Sequence, residues 1–578
     1  MKDFVLIEKG HSCNVCIAAS APESAKTASG ELCRCLSGMG ADVPEVRIGT
    51  PHEGEICIGA ADDCACEELR IQVRDGILWL DGGKRGVLYS AYELLERLGC
   101  RFLAEDCEVL PPLPADGRLT LPGDTYISQT PVFEYREAYW KGVTPEFAPR
   151  LRLNGVLGMG IKPEYGGDIH YAGFVHTLGD LSEMEQPYTD RQPCLSDENV
   201  FQTVVRNLRR RLDEDPTATI ASVSQNDSHE WGRGCQCAAC RAKDEAEGTP
   251  MGSLLQFVNH VAEDIAPDYP DVAIDTLAYR YTRRAPAALQ ANDNVIVRLC
   301  SIECCFSHPI ESCDSTVYSV EDGSFADTLR KWGQHCRRVY IWDYTTNFRN
   351  YNVGFPNFGV LRQNLRFFAQ NNVRGVYEQG NRQSVNGEFD DLRSYLLGKL
   401  LWDPYMDEQT YMRHMDDFLS GYYGPGAPAI RRYLDRMQRG AADSHFGIYF
   451  EDPTRVYVDP DTDGDTVCRA EAFLRKGRAD FAEALAAAKT DAQAAHIRRS
   501  AVQLDVYCWY CRRLELQALS PDAPDFPAAE DALRAAGKQL LTSARAAGIT
   551  RMHESGSQDA DFTVTEQDML TQPAFWGV

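Results

Sequence analysis

At 578 residues, 44% of them hydrophobic and 10% aromatic, the chain exceeds one hydrophobic core, and roughly two to four domains are expected. A formal net charge of −26 with a pI near 4.9 excludes a nucleic-acid partner, because phosphate binding needs a basic face. No window approaches about 18 apolar residues and the opening apolar run is too short for an export signal, so no membrane partner is expected and the protein should be soluble and cytoplasmic, its 21 Cys mostly reduced thiols.

Residues 1–125 alternate short strands (4–7, 13–18, 55–59, 71–74, 77–80) with helices over 23–38 and 86–98, a compact α/β unit. Gly82-Gly83-Lys84-Arg85-Gly86 superficially suggests a phosphate loop. It lacks the Walker spacing and the closing Lys-Ser/Thr, so a helix-entry turn is the expectation. A Pro/Gly-rich stretch over 110–123 marks the boundary.

Residues 126–406 repeat a strand, loop and helix pattern. Eight strands are predicted, over 133–136, 155–159, 194–196, 219–224, 273–278, 295–299, 339–342 and 375–377, which fits a (β/α)8 TIM-type barrel; an open doubly wound sheet is the rival. Residues 407–578 lose the strand signal and read as a C-terminal helical domain, with helices over 412–422, 427–439, 470–489, 494–516 and 528–546.

The stretch 338–380 is the most informative. Two strands separated by one helix need a crossover and should lie parallel, which brings Asp343 and Glu378 to the same C-terminal edge, where such barrels keep their chemistry. The loop between them is rich in aromatic rings and amides, a mixture suited to the flat C–H faces and hydroxyls of a sugar. Other predicted strand ends add Glu137 and Trp140, Asn226 and Asp227, Tyr279, Arg298 and Glu303, Trp342 and Tyr344, and Asn381, with His176 after the second strand. A single strand-end carboxylate is more often a helix cap or a surface ion pair; their joint occurrence carries the reading. Glycoside cleavage needs an acid to protonate the leaving oxygen and a second carboxylate as base, nucleophile or orienting group. Glu378, between Tyr377 and a Gln-Gly turn, suits the acid; Asp343 suits the ionised role, and Asp227 competes for either.

Cys235-Gln-Cys-Ala-Ala-Cys240 offers three thiolates, with His229, Cys304, Cys305 or His308 as candidate fourth ligand to a structural zinc. Free thiols packing a barrel loop are the simpler reading, so no metal and no cofactor are expected. No H-E-x-x-H, G-x-S-x-G or G-x-G-x-x-G stands in a convincing context, which argues against zincin, serine hydrolase and dinucleotide enzymes.

Ser222-Val-Ser-Gln-Asn-Asp227, the Cys run after it, Thr276-Leu-Ala-Tyr279, Arg298-Leu-Cys-Ser-Ile-Glu-Cys-Cys305, Val376-Tyr-Glu-Gln-Gly380 and Leu400-Leu-Trp-Asp-Pro404 resemble, in that order, glycoside hydrolase family 163, formerly domain of unknown function 4838. The first 125 residues look like the α/β domain that precedes the barrel in β-hexosaminidases and α-glucuronidases. The resemblance implies a retaining β-N-acetylglucosaminidase acting within N-glycan oligosaccharides, in which the substrate's acetamido oxygen attacks while one carboxylate orients it and another is the acid. Glu378, Asp343 and Asp227 match motif positions, with Glu303 a fourth candidate. The chain departs from the pattern between His176 and Cys194, where it looks short. An inverting α-glucuronidase type and an inactive sugar-binding protein are the alternatives; the expected partner is an oligosaccharide, with a homo-oligomer left open.

Overall fold

The computed structural model describes residues 2–184, 191–227, 234–315, 323–385 and 387–554. Its N-terminal part holds a six-stranded mixed sheet whose parallel members Val15–Ile17 and Ile56–Ile58 are buried throughout. Strands covered on both faces read as unbroken apolar runs, as these do. The glycine turn before helix Gly86–Arg97 is spent on packing. The Arg85 and Gly86 amides each donate to the Cys66 carbonyl at 3.0 Å, and a Cβ on Gly86 would meet the Glu68 carbonyl oxygen at 1.7 Å. Those donors are committed to the chain itself rather than to a phosphate.

The centre is a curled parallel sheet of seven strands: β1 (Tyr135–Tyr139), β2 (Tyr171–Ala172), β3 (Ile220–Ser222), β4 (Ala273–Ala278), β5 (Val295–Cys300), β6 (Arg338–Tyr344) and β7 (Val373–Gln379). Their spatial order is β1-β7-β6-β5-β4-β3-β2, a barrel topology rather than an open doubly wound one. The strand expected at 155–159 does not form. The gap between β1 and β2 is bridged by an irregular segment, in which the Asn154 and Gly155 amides donate to Arg136 O at 3.1 Å and Ile169 N donates to Asn154 O at 3.0 Å. The Asn154 side chain completes the ladder, accepting from Arg136 N at 2.9 Å and donating to Glu134 O at 2.7 Å. The strand expected at 194–196 is a turn, and the two-residue β2, too short to show a period, takes a place in the sheet instead.

Tyr135, Phe174, Ile220, Ala273, Ile296, Tyr340 and Tyr377 fill the barrel interior. Helices Glu198–Glu214, Met251–Ile265, Phe325–His335, Leu361–Gln370 and Asp390–Trp402 occur between and after the strands; Asp197 and Ser324 cap two of them through the amides of Asn199 and Asp327. Five further α-helices follow among the described residues, from Glu408–Tyr423 to Phe526–Ala546. Segments beside them return to the barrel mouth: Phe348 N donates to Ile448 O at 2.8 Å, and Tyr351 N to Met552 O at 2.7 Å. No described helix is long and apolar enough to cross a membrane.

Candidate active site

A cleft of about 390 Å³ opens at the C-terminal edge of the barrel strands. That volume lies within the range of roughly 300–1,000 Å³ usual for small-molecule sites. From the barrel come His176, Asp227, Tyr279, Arg280, Trp342, Tyr344 and Gln379; from the returning segments come Tyr449 and Glu554. One wall is a run of rings in which Trp342 and Tyr344 centroids stand 6.4 Å apart, Tyr344 and Phe348 5.8 Å, and Phe348 and Tyr449 5.7 Å. Trp342 Nε1 donates to Gln379 Oε1 at 2.7 Å, which fixes the indole plane.

Among the described residues, Asp227 and Glu554 are the two carboxylates lining this cleft. The Tyr279 hydroxyl donates to Asp227 Oδ1 at 3.2 Å. Burial raises the pKa of Glu554, and the charge of Asp227 pushes it further up against the pull of Arg551. His176 Nδ1 faces the Gln225 carbonyl at 2.8 Å, and burial lowers its pKa, favouring the neutral ring. His176 and Arg280 both adopt φ near +53°, left-handed backbone that costs a non-glycine residue free energy and tends to collect at functional sites.

The sequence-predicted residues divide by the face of the strand they occupy. His176, Asp227, Tyr279, Trp342 and Tyr344 reach the cleft. Arg298 and Glu137 point into the barrel but lie beneath it. The Arg298 guanidinium pairs with Asp275 at 2.9 Å and stacks 4.1 Å from the Phe174 centroid, while Glu137 takes the Leu157 amide at 2.7 Å and the Tyr135 hydroxyl.

Glu378 and Asp343 do stand side by side in register on β7 and β6, as the crossover argument requires. They are absent from the cleft lining. Trp342, Tyr344, Tyr377 and Gln379 take the inward positions, so the residues between them point outward to the helices, where Glu378 is 1% and Asp343 3% exposed. Asp343 accepts from the Ser301 hydroxyl, and Glu378 Oε2 has no hydrogen-bond partner among the described residues. This corrects the expectation that the pair faces a sugar.

The others serve the scaffold. Glu303 is buried 3.9 Å from Arg283, and Trp140 is packed against Gly380, where a Cβ would meet its ring at 2.0 Å. Asn381 folds its own turn, donating to Ser384 O at 3.0 Å. Asn226 holds neighbouring loops by accepting from Gly179 N and donating to Arg191 O, each at 2.9 Å. Glu554, Tyr449 and Phe348 were not singled out from sequence.

The thiols of Cys235, Cys237 and Cys240 meet a fourth, that of Cys194, which was not among the candidate ligands. Cys305 and His308 belong to a different group, Cys304 joins neither, and His229 lies outside the described residues. A second cleft of about 370 Å³ lies around Glu96, Arg152 and Lys399, whose charges pair with one another.

Residues 104–435 match the family model described as a domain of unknown function, DUF4838. No curated protein matches the chain. Among solved structures the chain is similar to a family 115 4-O-methyl-α-glucuronidase with specificity for decorated arabinogalactans, at 13% identity and a TM-score of 0.58, covering 96% of this chain and 81% of that one. It is also similar to a double Glu-to-Gln variant of a family 89 enzyme from Clostridium perfringens in complex with its substrate GlcNAc-α-1,4-galactose, at 10% identity and a TM-score of 0.50, covering 90% of this chain and 65% of that one. At such identities the likeness is one of fold.

Proposed function

This chain belongs to the DUF4838 family, and on that premise we propose that it is a glycoside hydrolase that cleaves β-linked N-acetylglucosamine in oligosaccharides. One observation carries the proposal: two carboxylates, Asp227 and Glu554, share an aromatic-walled cleft at the C-terminal mouth of the barrel. The sugar and the substrate-assisted route come from the resemblance to glycoside hydrolase family 163.

Glu554, its pKa raised by burial and by the charge of Asp227, is the general acid that gives a proton to the glycosidic oxygen. Asp227, steadied by the Tyr279 hydroxyl, orients the acetamido group, whose carbonyl oxygen displaces the leaving group at the anomeric carbon. Water, deprotonated by Glu554, then opens the cyclic intermediate and restores the acetamido group. The rings of Trp342, Tyr344 and Tyr449 offer stacking faces for the sugar.

The test is release of N-acetylglucosamine or a glycan fragment from an oligosaccharide panel by the wild type, Glu554→Gln and Asp227→Asn. Each variant should lose roughly 10²–10⁴-fold in kcat/KM. In Glu554→Gln the alkaline fall in the pH profile should vanish, since the acid form is lost as pH rises through a raised pKa. Wild-type turnover by both variants would refute the assignment, and ligand affinity without turnover by the wild type would mark a sugar-binding protein. Arg280 at the cleft favours a second reading, a uronic-acid glycosidase whose substrate carboxylate meets that guanidinium. Strong inhibition by N-acetylglucosamine thiazoline selects the first reading over the second.

A further inference from the structure

The thiol cluster beside the barrel mouth plays no part in the chemistry above. Cys237 caps helix Ala238–Glu247, Cys240 lies in its first turn, Cys235 precedes it, and Cys194 arrives from the segment leading to helix Glu198–Glu214. Cys194 Sγ lies 3.7 Å from Cys237 Sγ and 3.9 Å from Cys240 Sγ, and all four sulfurs lie within 4.8 Å of one another. A disulfide would need an S–S distance of about 2.05 Å. Four thiolates at the usual Zn–S distance of about 2.3 Å, set at tetrahedral angles, stand about 3.8 Å apart. The separations of 3.7 and 3.9 Å bracket that value.

The surroundings suit thiolates. Cys237 Sγ accepts the Cys240 amide at 3.4 Å at the positive end of the helix, and Ser196 Oγ stands 3.2 Å from Cys240 Sγ as an outer-shell partner. We propose that Cys194, Cys235, Cys237 and Cys240 hold one zinc ion in a closed tetrahedral site. Four S–Zn bonds form as four thiol protons pass to solvent, with no change of oxidation state. The sulfurs stand too close to one another to wrap a multi-iron cluster. Gln192, near Cys194, accepts from Asn226 N and donates to Asn226 O, each at 3.0 Å, so the metal would anchor the chain on both sides of Asp227.

A different set of atoms carries a second site. Cys305, His308, Cys313 and His445 also bring one ligand atom each within 4.8 Å of the others. Cys305 Sγ lies 3.4 Å from His308 Nδ1, and Cys313 Sγ 3.6 Å from His445 Nδ1, against about 3.6 Å for the S···N edge of a tetrahedral zinc site. His308 Nε2 lies 2.8 Å from the Ala442 carbonyl, a bond that puts its proton on Nε2 and leaves Nδ1 to face a metal. This zinc would tie the loop after β5 to the segment that supplies Tyr449, where Phe306 N already donates to Phe446 O at 2.9 Å.

The test is zinc content by plasma mass spectrometry on the untagged full chain, equilibrated with zinc under reductant and freed of excess by gel filtration. About two zinc ions per chain are expected, with Cys240→Ser and Cys305→Ser each losing about one and the double variant about two. Zinc K-edge spectroscopy of Cys305→Ser should show sulfur ligands alone, whereas Cys240→Ser should show mixed sulfur and nitrogen. If a variant fails to fold, Co²⁺ replaces zinc in the wild type, and sulfur-to-cobalt charge-transfer bands with tetrahedral d–d absorption read the ligand set. Folded wild-type chain with less than about 0.2 zinc, or zinc content unmoved by all three variants, overturns the proposal.

Discussion

Glu378→Gln separates a buried strand-end carboxyl from a catalytic one. Burial, then the neighbouring Asp343, hold the Glu378 pKa well above the carboxylate range against the opposing charge of Arg393. Burial likewise raises Asp343 from 3.8 to about 6, with the Ser301 hydroxyl pulling the other way. A folded pKa above the unfolded one means that the stabilising proton is fully held below pH of about 4 and that stability falls as pH rises through about 6. Two pKa units are worth roughly 3 kcal/mol, so at pH 8 Asp343 alone opposes folding by that order. Removing the Glu378 titration relieves its repulsion of Asp343, less the cost of seating an amide in a pocket that already lacks one partner. The expected outcome is a gain of about 1 kcal/mol or more at pH 8, little change at pH 5, and kcat/KM within about threefold of wild type. The measurements are denaturant unfolding at both pH values beside steady-state hydrolysis. A loss of about a hundredfold in kcat/KM with unchanged pH dependence of stability would return Glu378 to the chemistry and refute the argument from strand faces.

Two further changes test the scaffold. Gly155→Ala puts a Cβ 2.8 Å from the Tyr135 ring and 2.9 Å from Glu137 Oε2 at the irregular closure between β1 and β2, and should destabilise by about 1–3 kcal/mol in denaturant unfolding. Burial pushes Glu96 up, yet Lys399 and Arg152 outweigh it and bring it to about 2. Its folded pKa is therefore depressed, and its contribution, roughly 3 kcal/mol, is present above about pH 4.5 and lost as pH falls towards 2. Glu96→Gln should cost about 3–5 kcal/mol at pH 7 by leaving Lys399 and Arg152 in the same buried cluster, and should flatten the acid limb of an unfolding profile.

The barrel was legible where burial on both faces writes itself as a short apolar run, as in Val295-Ile296-Val297 of β5 and Val339-Tyr340-Ile341-Trp342 of β6. It was illegible at 155–159, because there a side-chain amide, that of Asn154, supplies ladder bonds that no periodicity records. Cys194 and Glu554 were missed for a related reason: each meets its partners only after the chain has closed a long loop, and spacing along a sequence cannot register such a meeting.

Asp343 and Glu378 lie at the C-terminal edge where the cleft opens, on the face of their strands turned away from it. In a sheet covered by helices outside and filled by side chains inside, alternation of polarity is erased. Val339 and Ile341 face out, Tyr340 and Trp342 face in, and hydrophobicity does not tell them apart. With a period of two, an error of one residue exchanges cleft for core, which is the difference between Gln379, hydrogen-bonded to Trp342 in the cleft, and Glu378, sealed behind it. What distinguishes the faces is ring size on one face of neighbouring strands. Tyr135, Tyr340 and Tyr377 recur on three adjacent strands, and Tyr135 and Tyr340 stack at 5.8 Å. Large aromatic side chains recurring on the same face of neighbouring strands therefore identify the interior, and with it the carboxylates that a substrate entering the mouth can reach. By that rule Asp227 lies at the cleft and Glu378 behind it.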